Sequence, residues 1–417
     1  MNNTLYFTLL MFILPGCIER YDAKIEEAES ILVVEGFIIG GTTQITLSKS
    51  VGLNIPSDED LITVDHASIY VACDDGTQSN VAFSSGNGIY LIPTGELNVD
   101  TQYRLVININ DTVYQSDFLS PTIMSPVNVS FTSDDKDIHV CVTTHGNDDQ
   151  TSYYLWSVKE DWEIHSYLYG MYVKVRIGTA FSREVLGINP NLVEKLAELK
   201  SAGWDIVEVG ANAKGVCNGY VKVTNNIFSP NNKYYCWGND SSKIYITGTT
   251  DKLIDNVIRE KKIKSFPRTD DRTSVLYRVQ VTQNRIHQEA YDYYNNVLKN
   301  VKQTGSIFAP IPSEVTGNIQ CVSNPGIPVI GYVDVSTTSA EDIQYLDNIF
   351  WDPSFRNSRC VECESNITPP LNAIITDLSS GWVMYDNSPL YILEYCVDCT
   401  KIGGTKIKPE DWPTDNQ

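Results

Sequence analysis

Short runs of alternating apolar and polar residues, each closed by turn residues, constrain this chain more than any other feature. Ile31-Leu32-Val33-Val34-Glu35-Gly36-Phe37-Ile38 reads as a strand, Gly40-Gly41 as a turn and Gln44-Ile45-Thr46-Leu47 as the returning strand. Ala67–Cys73 follows and is stopped by Asp74-Asp75-Gly76, a turn signal. Gly88–Leu91, Leu97–Ile109 and Thr112–Tyr114 continue the series. Several short strands at the ~8–12-residue spacing of all-β domains predict a β-sandwich over residues 30–122.

Leu97-x3-Thr101-x-Tyr103 ahead of a strand resembles the tyrosine corner of immunoglobulin and fibronectin-type sandwiches, which makes Tyr103 a structural residue. Pro121–Pro126 punctuates a boundary, and a second β series runs from Val127 through Ser152–Val158, Met171–Val175, Tyr234–Trp237 and Ser274–Val281. Two segments break it with helical spacing. One is Asn191–Lys200, with Leu192, Leu196 and Leu199 on one face. The other runs from about Asn284 to Val301, where Ile286, Ala290, Tyr293, Tyr294, Val297 and Val301 form an apolar stripe that reads as a helix docked on a sandwich. The expected architecture is mainly β: tandem immunoglobulin- or fibronectin-like sandwiches at 30–122 and 123–340, helical insertions in the second, and a cysteine-rich region at 341–417.

The amino terminus leads to the expectation that the chain is exported from the cytoplasm. An apolar run from Leu5 to Leu14 leads into Pro15-Gly16-Cys17, the pattern of a bacterial lipoprotein signal. The run is far shorter than the ~20 apolar residues that span a bilayer. Residues 1–16 hold no Lys or Arg, a departure from the usual basic start. Residues 1–16 are therefore expected to be removed, Cys17 to be lipidated, and the acidic stretch 17–29 to tether the first domain to the lipid. Apolar content of 42% with 24 Tyr, 12 Phe and 7 Trp argues for packed cores. A formal charge of −21 argues against nucleic acid or anionic lipid as a partner.

An exported chain keeps disulfides. Besides Cys17 there are nine cysteines, an odd number. Cys217 and Cys236 bracket an Asn-rich loop and are expected to pair. Cys360-Val361-Glu362-Cys363 and Cys396-Val397-Asp398-Cys399 either cross-link the tail, one Cys from each pair, or hold one Zn²⁺, or stay as thiols. The gap between them exceeds the ~15–20 residues usual in zinc ribbons, which favours disulfides. Cys73, Cys141 and Cys321 are left unassigned. Catalytic signatures are missing: His66, His139, His145, His165 and His287 have no paired ligand spacing, and there is no Gly-x-Ser-x-Gly elbow or phosphate-cradling loop. Asp74-Asp75, Asp134-Asp135 and Asp270-Asp271 read as solvated turns. No cofactor is expected. Trp156 reads as core, whereas Trp162, Tyr167 and Tyr169 are candidates for a partner surface.

Leu32-Val33-Val34-Glu35-Gly36, Ala67-x-Ile69-Tyr70-Val71, Gly88-Ile89-Tyr90, Cys236-Trp237, Glu289-Ala290-Tyr291 and Gly317-Asn318-Ile319 occur in a distinctive order. The tail adds Cys396-x2-Cys399-Thr400 and Gly403-Gly404-Thr405-x3-Pro409-x2-Trp412. Together they resemble Bacteroidota lipoproteins of the domain-of-unknown-function family 4249, over nearly all of the chain after the signal. The resemblance implies an outer-membrane lipoprotein, on the cell surface or at the periplasmic face, that accompanies a TonB-dependent transporter and is not an enzyme. It brings no catalytic residues with it. A surface adhesion or assembly module is the alternative from fold analogy, and a zinc enzyme using the tail cysteines is a further one.

Overall fold

A computed structural model describes residues 31–413 apart from 51–61, 147–149, 170–171, 180–205, 212–215, 223–231, 241–244, 304–315, 368–381 and 387–389. Cys17, the signal, the tether and the expected helix at Asn191–Lys200 lie outside the described residues. Among the described residues the first seven strands are β1 (Leu32–Ile39), β2 (Gly41–Lys49), β3 (Ile62–Thr63), β4 (Ala67–Cys73), β5 (Ile89–Gly95), β6 (Tyr103–Ile109) and β7 (Thr112–Ser116). They form two sheets, β1-β2-β3 with β5 on β2, and β7-β6-β4. The alternation buries Val34, Ile38, Ile45, Leu47, Ile69, Leu105 and Ile107 between them. Apolar burial of this kind contributes roughly 25 cal/mol per Å² removed from water. The hydroxyl of Tyr103 accepts a 2.8 Å bond from the backbone N–H of Asn98, the expected corner.

The second β series comprises β8 (Val127–Ser133), β9 (Asp137–His145), β10 (Tyr153–His165), β11 (Tyr172–Thr179), β12 (Ile206–Ala211), β13 (Val216–Lys222), β14 (Tyr235–Asp240), β15 (Ile246–Thr249), β16 (Val257–Pro267) and β17 (Leu276–Ile286). One sheet is β16-β9-β8; β10 lies between β14 and β17 in another. Their core holds Val140, Tyr154, Trp156, Tyr277, Val279 and Val281. Trp156 is fully buried as expected, and its Nε1 donates to Gln283 Oε1 at 2.8 Å. The acidic pairs are turns: Asp134 Oδ1 accepts from the backbone N–H groups of Lys136 and Asp137, and Asp270 caps a short helical turn.

The expected second helix starts later than its apolar stripe. β17 runs on to Ile286, because Asn284 and Ile286 stay in register with Leu155 and Tyr153 of β10. Helix α1 is Gln288–Gln303. Its Ala290, Tyr293 and Tyr294 pack on Leu155 of the second sandwich and on Phe37 and Tyr332. The helix is therefore wedged at the junction rather than docked on one sandwich.

The second boundary falls elsewhere than residue 340. β18 (Ile319–Cys321), β19 (Val329–Ile330) and β20 (Asp334–Ser336) return to the first sandwich. β18 extends its smaller sheet beside β7, while β19 and β20 lie parallel to β1. Asn318 pins this return: its Oδ1 accepts from the Val333 N–H at 2.9 Å and its Nδ2 donates to the Val333 carbonyl at 2.8 Å. β21 (Ala340–Asp347) then goes back to β17. The two sandwiches are thus tied by strands crossing in both directions. The tail carries α2 (Ser354–Ser365), the hairpin β22 (Trp382–Asp386) and β23 (Leu390–Leu393), and α3 (Glu394–Val397).

Candidate functional site

The tail is bonded to the outer edge of β14. Cys236 pairs with Cys399 and Cys363 with Cys396. The second bridge takes one Cys from each tail motif, as expected. The first overturns the expected Cys217–Cys236 bond. Cys217 stands opposite Ala211 on β12 and Gly178 on β11, and its side chain lies outside the described residues. Three of the four tail cysteines are oxidised, so the motifs offer no thiolate set for zinc. Cys360 keeps its thiol, which donates to the Tyr167 carbonyl at 3.4 Å, and burial raises its pKa. Thr405 exchanges backbone bonds of 2.9 and 2.7 Å with Trp237. Gly404 has to be glycine, since a Cβ there would lie 2.5 Å from Cys236 Cβ. The tail so covers a strand edge that would otherwise be open to pairing.

This covering changes the roles of the three aromatic candidates. Trp162 is on β10 and not in an irregular segment. It packs beside Gly238, under the Arg272 guanidinium at 5.2 Å. Tyr167 lies against Arg356 of α2 at 5.3 Å and edge-on to Tyr395 at 6.5 Å. Only Tyr169 of the three is exposed, leaning on Tyr234 at 5.4 Å. Trp162 and Tyr167 are occupied by the chain's own tail and loops, and they do not form a free patch. Nothing local in the sequence marks this, because Arg356, which covers Tyr167, comes about 190 positions after that loop, and Gly238 and Arg272, which flank Trp162, are also distant along the chain.

Sequence reading also misses a buried charge cluster. Glu160 on β10 is wholly buried and accepts from the Tyr277 hydroxyl, from Lys264 Nζ and, at 3.2 Å, from Arg272 Nη1. Burial, helped by the nearby Arg272 charge, lowers the Lys264 pKa. Beside it Arg278 Nη2 donates to Asp161 at 2.6 Å and Nη1 to the Glu410 carbonyl at 2.8 Å. Each cation reaches a carboxylate, so the cluster is structural and offers no unpaired acid or base.

A recess of about 340 Å³ opens where the sandwiches meet. The first contributes Glu35, Phe37 and Gln44, and the second Lys159, Tyr245 and Asn284. Tyr245 packs on Tyr294 of α1 at 5.1 Å. Burial, with the Glu35 charge adding, pushes its pKa up to about 12, so the phenol is neutral and able to donate. Asn284 Oδ1 accepts from Ser339 at 2.6 Å, which orients its amide. One carboxylate, one ammonium, amides and a phenol around aromatic rings suit the holding of a small polar ligand. The lining also holds the hydroxyl-bearing Thr46, Ser157 and Thr282. Among the described residues, no three His, Cys, Asp or Glu side chains are grouped so as to hold a metal ion.

Two interlocked β-sandwiches with a junction recess and a disulfide-fastened tail define the class structurally. The chain belongs to the family described as domain of unknown function (DUF4249), whose model matches residues 18–342. The match spans both sandwiches and ends within β21, so the tail with Cys363, Cys396 and Cys399 lies beyond it, where the resemblance had been expected to continue, while Cys236 lies inside it. A search of curated proteins finds no match to the chain.

Proposed function

We propose that this protein is a non-enzymatic, lipid-anchored outer-membrane protein that partners a TonB-dependent transporter and holds a small ligand in the junction recess. The observation that carries the reading is the recess itself: a polar, aromatic-walled cavity between two domains fastened in both directions. A pocket at a domain junction is a common ligand site. Two disulfides support life in an oxidising compartment. The apolar run ending at Gly16-Cys17 supports an amino-terminal anchor. Two or three acyl chains on Cys17 would supply the double signal that stable anchoring requires.

Metabolic labelling with a fatty acid tests the anchor. Label should enter the wild-type protein, and Cys17→Ala should leave it unprocessed or release it from membranes. A wild-type protein that never takes up label contradicts the anchor. Recovery of a barrel with the protein from native membranes tests the partnership.

A further inference from the structure

The segment from Thr249 to Lys261 brings three features together. Its backbone is strained: Lys252, Asp255, Asn256 and Glu260 all have positive φ, between 44° and 62°, although none is glycine. Such conformations collect at functional positions. It exposes aliphatic side chains, with Ile254 80% accessible and Leu253 45%. And it carries three cations, Lys252, Arg259 and Lys261, matched in number by Asp251, Asp255 and Glu260, which do not line the cavity described next. A cavity of about 590 Å³ lies here, walled by Leu253, Ile254 and Val257 and rimmed by Lys252, Arg259 and Lys261. Among the described residues that line it none is acidic. Lys252 and Arg259 do reach Asp251 and Asp255, at 3.7 and 3.4 Å, but in exposed pairs, which hold weakly. Lys261 has no ion pair among the described residues.

Part of this pattern serves another purpose. β16 is an edge strand, and its lysines and its two register shifts discourage strand addition. Edge protection, however, requires neither exposed aliphatic side chains nor a cavity walled by them. We propose that this cradle docks an extended segment of another protein that combines acidic and aliphatic residues. The aliphatic side chains would enter the cavity and the carboxylates would meet Lys252, Arg259 and Lys261. The bulges discourage ladder pairing along β16, so recognition runs through side chains. A concave site suits a protruding segment better than a flat bilayer, and a net charge of −21 opposes approach to an anionic membrane. The inference is independent of the transporter reading, because the occupant is defined by its chemistry alone.

The test is fluorescence anisotropy of the full mature protein with a labelled peptide of about ten residues alternating aspartate and valine. Saturable binding is expected, weakened about tenfold or more by Arg259→Glu with Lys261→Glu and by Ile254→Asp, each melting like wild type. The lysine–valine peptide should fail on wild type and bind the charge-reversed double variant, a gain that misfolding cannot produce. An all-aspartate peptide should bind about tenfold more weakly than the mixed one. Absence of saturable binding, equal binding of the lysine–valine peptide to wild type, or indifference to the double variant would overturn the proposal. So would a preference for phosphatidylglycerol vesicles over the peptide, which would make the cradle a membrane contact.

Discussion

Cys236 and Cys399, separated by 163 residues of sequence, are bonded to each other, and Thr405 pairs with Trp237 one position further along the same strand. The tail is therefore part of the second sandwich's sheet edge, although it lies beyond the family match.

A nonreducing peptide map should link Cys236 to Cys399 and Cys363 to Cys396, and should show no Cys217–Cys236 peptide. In the chain-entropy model a loop of this length is worth about 5 kcal/mol, and native strain commonly reduces that. Cys399→Ser should thus lower unfolding free energy in urea by about 3–5 kcal/mol. A change under about 1 kcal/mol would mean that the tail is held without the bond.

Glu160→Ala should be among the most damaging single changes in the second sandwich. It leaves Lys264 with Asp240 alone and Arg272 with Asp270 alone, and the Tyr277 hydroxyl without its acceptor. Breaking a buried charge pair from one side costs about 3–5 kcal/mol. Glu160→Gln keeps a hydrogen-bond acceptor and should lose less. Equilibrium denaturation ranks the two, and equal losses would show that a neutral acceptor contributes nothing without the negative charge.

The link between α1 and the first sandwich should be pH-sensitive. Burial disfavours the His287 imidazolium, but the hydrogen bond and charge of Asp334, at 2.6 Å from Nδ1, outweigh it and raise the His287 pKa above its ordinary 6.5. A folded pKa above the unfolded one gives stability that is complete below about pH 6.5 and disappears as pH rises through the folded value. The stability difference between wild type and His287→Gln should therefore shrink as pH rises from about 6 to 9. A difference that grows over that range contradicts the pairing.

Tyr103→Phe should cost about 1 kcal/mol, the net worth of one hydrogen bond plus the unpaired Asn98 N–H, with no change in the urea slope. A loss no larger than that of an exposed Tyr→Phe change would remove the corner from the stabilising contacts.

Local features were legible in the sequence; distant pairings were not. Alternation placed β1, β2, β4 and β6, and the Leu97–Tyr103 spacing found the corner, because strand faces and that hydroxyl bond depend on near neighbours. The start of α1 was misjudged because Ile286 fits a helical stripe and a strand face equally well, and pairing with Tyr153 decides between them. The return of Ile319–Ser336 to β1 and β7 leaves no periodic trace. Cys217 was the nearest partner for Cys236 along the chain, but the edge of β14 selected Cys399. Glu160 is one carboxylate in a strand until Lys264, Arg272 and Tyr277 are brought to it.

The proposed partnership is tested most directly by purifying the tagged protein from native membranes in mild detergent and quantifying what accompanies it by mass spectrometry. The account predicts one TonB-dependent outer-membrane barrel enriched in near-stoichiometric amount over an unrelated tagged lipoprotein. Recovery of the protein alone, or only as polymers of itself, would contradict it.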